Sequence, residues 1–133
     1  MDNTINIKTY GDLSTSAILD CKVTYILRTL GIPAHLNGYA YLKSAIIKTV
    51  EDPTYIFLIT KRLYVDLAKD YSVSYSKVER SMRTAIEKVK ETNDTIKIAF
   101  IGQAKQDYTN TEFITGISEL IRCSRLMDEN KGS

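Results

Sequence analysis

The chain has 133 residues and a net charge of +2, with 44% hydrophobic and 26% charged residues. This length suits one domain with one core, and the composition excludes a disordered tail, a collagen-like fibre and a repeat-only peptide. No apolar run reaches the roughly 20 residues that span a bilayer, and the polar first ten residues lack a signal segment. We therefore expect a cytoplasmic protein without membrane contact.

Helical periodicity dominates the chain and predicts an all-α domain of about six helices that contains a helix-turn-helix. Apolar residues recur three and four apart over 16–30, and Gly31 ends that first helix. Asn37 is the predicted cap of a second helix over 38–51. The apolar segment 54–60 is β-rich in composition, but it leads directly into another helical pattern, so we interpret it as the start of a third helical region.

A short helix is expected around 96–101. Thr109 and Glu112 have capping-box spacing, so we expect the last helix to begin there and to end near Arg125. The predicted organisation is given by three ranges: a flexible arm over 1–15, a helix-turn-helix domain over 16–127 and a frayed tail over 128–133.

The single histidine, His35, and the two distant cysteines, Cys21 and Cys123, lack the spacing of metal ligands. We expect reduced, buried thiols and neither a metal nor another cofactor. One histidine, scattered acidic residues and isolated glycines also provide no catalytic triad and no phosphate-binding loop. The sequence therefore does not predict an enzyme.

The segment from Lys61 to Lys90 holds eight basic and four acidic side chains, an excess that suits a polyanionic partner. Within it, one helical pattern ends at Ser72 and a second begins after Ser74 or Ser76. The second helix carries an apolar stripe on one side and polar residues on the other. The stripe consists of Val78, Met82, Ala85, Ile86 and Val89. Two helices with a tight turn are the requirement for a helix-turn-helix.

The polar side of the second helix suggests DNA recognition. Arginine side chains such as Arg80 and Arg83 can bond guanine O6 and N7 together, and Glu79 can accept from a cytosine amino group or cap the helix. The residues Ser74, Tyr75 and Ser76, near the helix start, suit phosphate contact. On these residues alone, DNA binding and a plain helical hairpin remain equally open.

Three segments resemble the DNA-binding effector domain of the stage-zero sporulation protein A family, the response regulators that start endospore formation. They are GIPAHLNGYAYLKSAI (31–46), LITKRLYVDLAKDYSVSYSKVERSMRTAIE (58–87) and TNTEFI (109–114). The resemblance implies a six-helix domain whose third and fourth helices form the helix-turn-helix. It implies that the fourth helix enters the major groove of a short box, often present in tandem. By motif match it places base reading on Lys77, Glu79, Arg80 and Arg83.

The chain departs from the family pattern at several positions. Lys77 stands where the family usually has arginine, Thr84 replaces a histidine and Val65 replaces a proline. The stretch 92–109 is shorter than in the family, where that region is associated with a sigma factor of RNA polymerase. No receiver domain precedes the matching region, so the chain is either an excised effector domain or, as Met1 favours, a free-standing relative.

Two hypotheses follow. The first is a sequence-specific transcription regulator that binds double-stranded DNA, with a sigma factor and a tandem dimer on DNA as further partners. Its phosphate contacts would come from the residues near the helix start and from Lys61, Arg62 and Lys88; for Lys61 and Arg62, solvated surface is an equal interpretation. The second is a helical protein-interaction module that has lost operator reading. Salt dependence separates the two, because only DNA binding releases counterions.

Overall fold

The computed structural model describes residues 15–131, and within that range it contains six α-helices and no strand. The all-α prediction is confirmed. The helices are α1 (Thr15–Thr29), α2 (Asn37–Glu51), α3 (Tyr64–Tyr71), α4 (Tyr75–Glu87), α5 (Asp94–Ile101) and α6 (Asn110–Lys131). None of these described helices is both long and apolar enough to cross a bilayer.

The N-cap of α2 and the end of α6 differ from the predictions. Leu36, not Asn37, occupies the N-cap position of α2, and its side chain makes no capping hydrogen bond. Helix α6 continues to Lys131, beyond the predicted end near Arg125. The arm predicted over 1–15 lies outside the described residues except for Thr15, which begins α1.

The segment before α3 is helical but not α-helical. Residues Pro53–Leu58 form a 3-10 helix and Ile59–Leu63 form one π turn. Asp52 caps this segment by accepting a hydrogen bond from the Thr54 N–H at 3.1 Å. A π turn changes the residue spacing of the helix, so the apolar pattern of this stretch matches neither an α-helix nor a strand. A further 3-10 turn, Lys88–Glu91, extends α4.

All six helices contribute to one core, and α4 together with the 3-10 turn that extends it contributes the stripe predicted from the sequence. Its five members are almost fully buried: Val78, Met82, Ala85, Ile86 and Val89. The prediction of buried cysteines is wrong, because Cys21 and Cys123 are both exposed and free. Cys21 lies two residues from Leu19 and from Val23, so it projects from the solvent side of α1 while they face the core.

Helices α3 and α4 form the predicted helix-turn-helix. Helix α3 ends at Ser72, which has the left-handed conformation (φ 55°, ψ 46°), and the Val73 N–H returns to the Ala68 carbonyl at 3.0 Å. Ser74 then caps α4, because its hydroxyl oxygen accepts from the Lys77 N–H at 3.0 Å. The choice between Ser74 and Ser76 as the start of the helix is therefore settled for Ser74.

Helices α2 and α4 approach each other closely at Gly38. A Cβ atom on Gly38 would lie 2.1 Å from the Ser81 carbonyl oxygen and 2.8 Å from the Ala85 Cβ. Only a residue without a side chain lets these two backbones meet. The contact fixes the position of α4 relative to α2, one turn from the side chains predicted to read bases.

We expect Gly38→Ala to destabilise the fold by about 1–3 kcal/mol, because the new methyl group must push α2 away from the α4 backbone. Urea unfolding followed by circular dichroism measures the change. Asn37→Ala is the matched control, since Asn37 is adjacent and exposed; it should change stability by less than about 0.5 kcal/mol. Equal stability of the two variants would contradict the close approach.

Ser74→Ala should cost about 1 kcal/mol, since it removes the oxygen that satisfies the Lys77 N–H at the start of α4. Ser76→Ala is the control, because Ser76 is exposed and its hydroxyl makes no hydrogen bond to the described residues. Thermal unfolding of both variants compares them. A larger loss for Ser76→Ala would place the cap two residues later.

Candidate nucleic-acid interface

The exposed side of α4 carries the residues predicted to read bases. Lys77, Arg80 and Arg83 are exposed, and Glu79 is partly buried beside them. The helix has 13 residues, a length of about 20 Å, and its opposite side is fixed in the core. It can therefore present a row of polar side chains on a rigid support, as a helix in the major groove requires.

Glu79 and Arg83 form an ion pair one turn apart on α4. The side chain of Glu79 is 30% exposed and that of Arg83 is 58% exposed. The carboxylate therefore restrains a guanidinium that still reaches solvent. A restrained arginine loses less conformational freedom when it bonds a base edge than a free one does. Lys77 and Arg80 have no ion-pair partner among the described residues.

The residues of α4 that are predicted to read bases line two different clefts, one on each flank of the helix. The first has a volume of about 500 Å³ and lies between α4 and the start of α2. It is lined by Leu36, Asn37, Ser74, Ser76, Lys77, Arg80, Ser81 and Thr84. The second, of about 600 Å³, lies between α4 and the start of α6. It is lined by Thr60, Tyr64, Tyr75, Glu79, Arg83, Tyr108 and residues 109–111.

Two tyrosine rings close the second cleft at the start of α4. Tyr75 packs edge-on against Tyr64, with the ring centroids 5.4 Å apart, and remains 41% exposed. Tyr64 itself is buried, and this burial raises the pKa of its phenol, so the group stays neutral at physiological pH. The contact orients Tyr75, which stays partly accessible to solvent.

The basic residues predicted to contact phosphates differ in whether their side chains are already paired within the protein. Lys61 and Lys88 are exposed and have no ion-pair partner among the described residues. Arg62 belongs to a partly exposed cluster, where it donates to Asp52 and Thr54 at 3.0 Å each and lies 4.2 Å from the centre of the Tyr55 ring. None of these three basic residues lines either cleft.

Sequence reasoning missed the residues that hold α4 from outside the helix-turn-helix. Gly38 contacts the Ser81 carbonyl, as described above, and the side-chain amide of Asn110 donates to the Glu79 carbonyl at 3.1 Å. Both residues lie inside segments that resemble the sporulation effector domain, but spacing along the chain gives no signal of contacts between distant helices. Ser81, on the flank of the first cleft, was also missed.

The helical fold agrees with a comparison against protein families. The model of the family described as "Sporulation initiation factor Spo0A C terminal" matches residues 23–121. The match includes α2, the complete helix-turn-helix, α5 and the first half of α6, and hence both sides of the interface. The chain therefore belongs to the family of the DNA-binding C-terminal effector domain of the sporulation initiation factor Spo0A.

Proposed function

We propose that this chain is a sequence-specific transcription regulator whose helix α4 enters the major groove of a short DNA box. The observation that supports this function best is the division of α4 into a fully buried apolar side and an exposed side with Lys77, Arg80 and Arg83. Such a helix can meet base edges without loss of core packing.

In this proposal the arginines read guanines, because a planar guanidinium can donate to O6 and N7 together. Arg83 is held by Glu79 and approaches the base in a fixed direction. Glu79 can pair with Arg83 and contact a base at the same time, because its carboxylate has two oxygens. One oxygen can hold Arg83 while the other accepts a hydrogen bond from a cytosine amino group. Lys77 adds a single, less directional donor to the same edge.

The DNA backbone would be held on both flanks of α4. Ser74 can donate its hydroxyl proton to a phosphate while its oxygen caps the helix, and Tyr75 and Ser76 are exposed beside it. Lys61 and Lys88 supply charge further out. Arg62 is the weakest of these contacts, because a phosphate would compete with Asp52 for its guanidinium.

The partners in this proposal are double-stranded DNA in the cytoplasm, a second copy on a tandem box and a sigma factor of RNA polymerase. Phe57 is 85% exposed and Leu58 is 41% exposed; together they favour the second candidate function, an interaction module without operator reading.

We expect Arg83→Ala to weaken binding to the preferred duplex by about 1–3 kcal/mol and to relax one base position, while binding to a scrambled duplex changes little. The preferred duplex is first selected from random sequence, and fluorescence anisotropy at two salt concentrations then gives both affinities. Arg125→Ala is the control for loss of charge, because Arg125 lies fifteen residues along α6 from Asn110, about 22 Å away.

Equal losses on both duplexes would show that Arg83 contacts only phosphate. Absence of salt-dependent binding to any duplex would instead favour the interaction module, because an apolar interface releases no condensed counterions.

A further inference from the structure

Asn110 connects the start of α6 to the middle of the DNA-facing helix. It is 8% exposed, and its amide nitrogen donates to the Glu79 carbonyl oxygen at 3.1 Å. In an α-helix that carbonyl already accepts from the N–H four residues later, which belongs to Arg83. The Asn110 amide occupies the second lone pair of the oxygen, so it adds an external bond without breaking the helix.

The position of Asn110 is itself fixed by the capping box of α6. The Glu112 N–H donates to the Thr109 hydroxyl at 3.0 Å, and the Thr109 N–H donates to the Glu112 carboxylate at 2.9 Å. Lys105 bonds the other carboxylate oxygen at 2.5 Å and, with the Thr109 N–H, lowers the pKa of Glu112. The carboxylate therefore stays ionised at neutral pH, and the first residue of α6 has a defined place.

Glu79 links this anchor to the DNA-facing surface, because its carbonyl is held by Asn110 and its carboxylate pairs with Arg83. Moving the α4 backbone at Glu79 would therefore move the guanidinium as well. The amide oxygen of Asn110 is buried without a partner among the described residues. The Asn110 side chain also interacts with the buried Tyr64 phenol, where it acts against the rise in pKa that burial causes.

We propose that Asn110 is a positioning residue that sets the place of Glu79, and through it the direction in which Arg83 meets its base pair. The inference rests on the proposed function, since it assumes that Arg83 reads a base. It adds a residue outside the helix-turn-helix to the determinants of specificity. Asn110 need not touch DNA in this role.

The test is a double-mutant cycle between Asn110 and Arg83, measured as the ratio of affinities for the selected and the scrambled duplex. Asn110→Leu and Asn110→Ser both remove the amide donor, and serine is well tolerated at a helix start. Each should lower the ratio by roughly 2- to 30-fold, at the same base position that Arg83→Ala relaxes, with an unchanged salt slope. In the Arg83→Ala background, neither should lower the ratio further.

Thr49→Val is the matched control. The buried Thr49 hydroxyl donates to the Ala45 carbonyl at 2.8 Å within α2, so this variant loses a comparable hydrogen bond that does not hold α4. It should keep the wild-type ratio. Hydrogen exchange of the Arg83 amide, measured without DNA, should change in the Asn110 variants and remain unchanged in Thr49→Val.

The outcomes separate the inference from the proposed function. If the wild-type protein does not prefer any selected duplex, the proposed function fails and this inference fails with it. If the wild-type protein shows a preference that Arg83→Ala lowers, but the Asn110 variants keep the full ratio, only the positioning role is overturned. Additive losses in the cycle would also overturn it, since they would mean that Asn110 acts independently of Arg83.

Discussion

The fixed backbone of α4 is the constraint on which the rest of the interface depends. The helix is held by contacts to backbone atoms on two flanks, at the Ser81 carbonyl beside Gly38 and at the Glu79 carbonyl beside Asn110. These points lie only two residues apart on α4, next to the side chains that face solvent. Because both contacts are made to backbone atoms of α4, they do not depend on the rotamers of that helix's own side chains, and they restrict both the depth and the rotation of the helix.

The sequence was sufficient to predict the elements whose signal is local. The apolar stripe from Val78 to Val89 predicted which side of α4 is buried, and the spacing of Thr109 and Glu112 predicted the start of α6. Local patterns could not identify Gly38 as a point of close approach to α4, since that role depends on a neighbouring helix more than 40 positions away. The exposure of Cys21 and Cys123 has the same explanation, because burial depends on how the helices pack. Cysteine is among the residue types most often buried, but this tendency does not fix the burial of any single cysteine.

Charge counted along the sequence also differs from charge available at the surface. Of the basic residues between Lys61 and Lys90, Arg62 pairs with Asp52 and Lys90 pairs with Asp107, two acidic residues that lie outside that segment. Such exposed pairs contribute little to stability, but they reduce the charge that a polyanion meets. The unpaired cations on α4, Lys77 and Arg80, therefore account for more of the positive surface charge than a count of basic residues along the chain suggests.

Within the proposed complex, the paired and the unpaired cations of α4 serve different purposes. The carboxylate of Glu79 offsets part of the positive charge of Arg83 and restrains the direction of its guanidinium. This arrangement favours discrimination between base pairs more than total affinity. Lys77 and Arg80 keep their full charge and their freedom, so they contribute to the salt-dependent part of binding. A lysine at position 77 costs less specificity in such an arrangement, because the most directional contact is made by a neighbour whose backbone and side chain are both held.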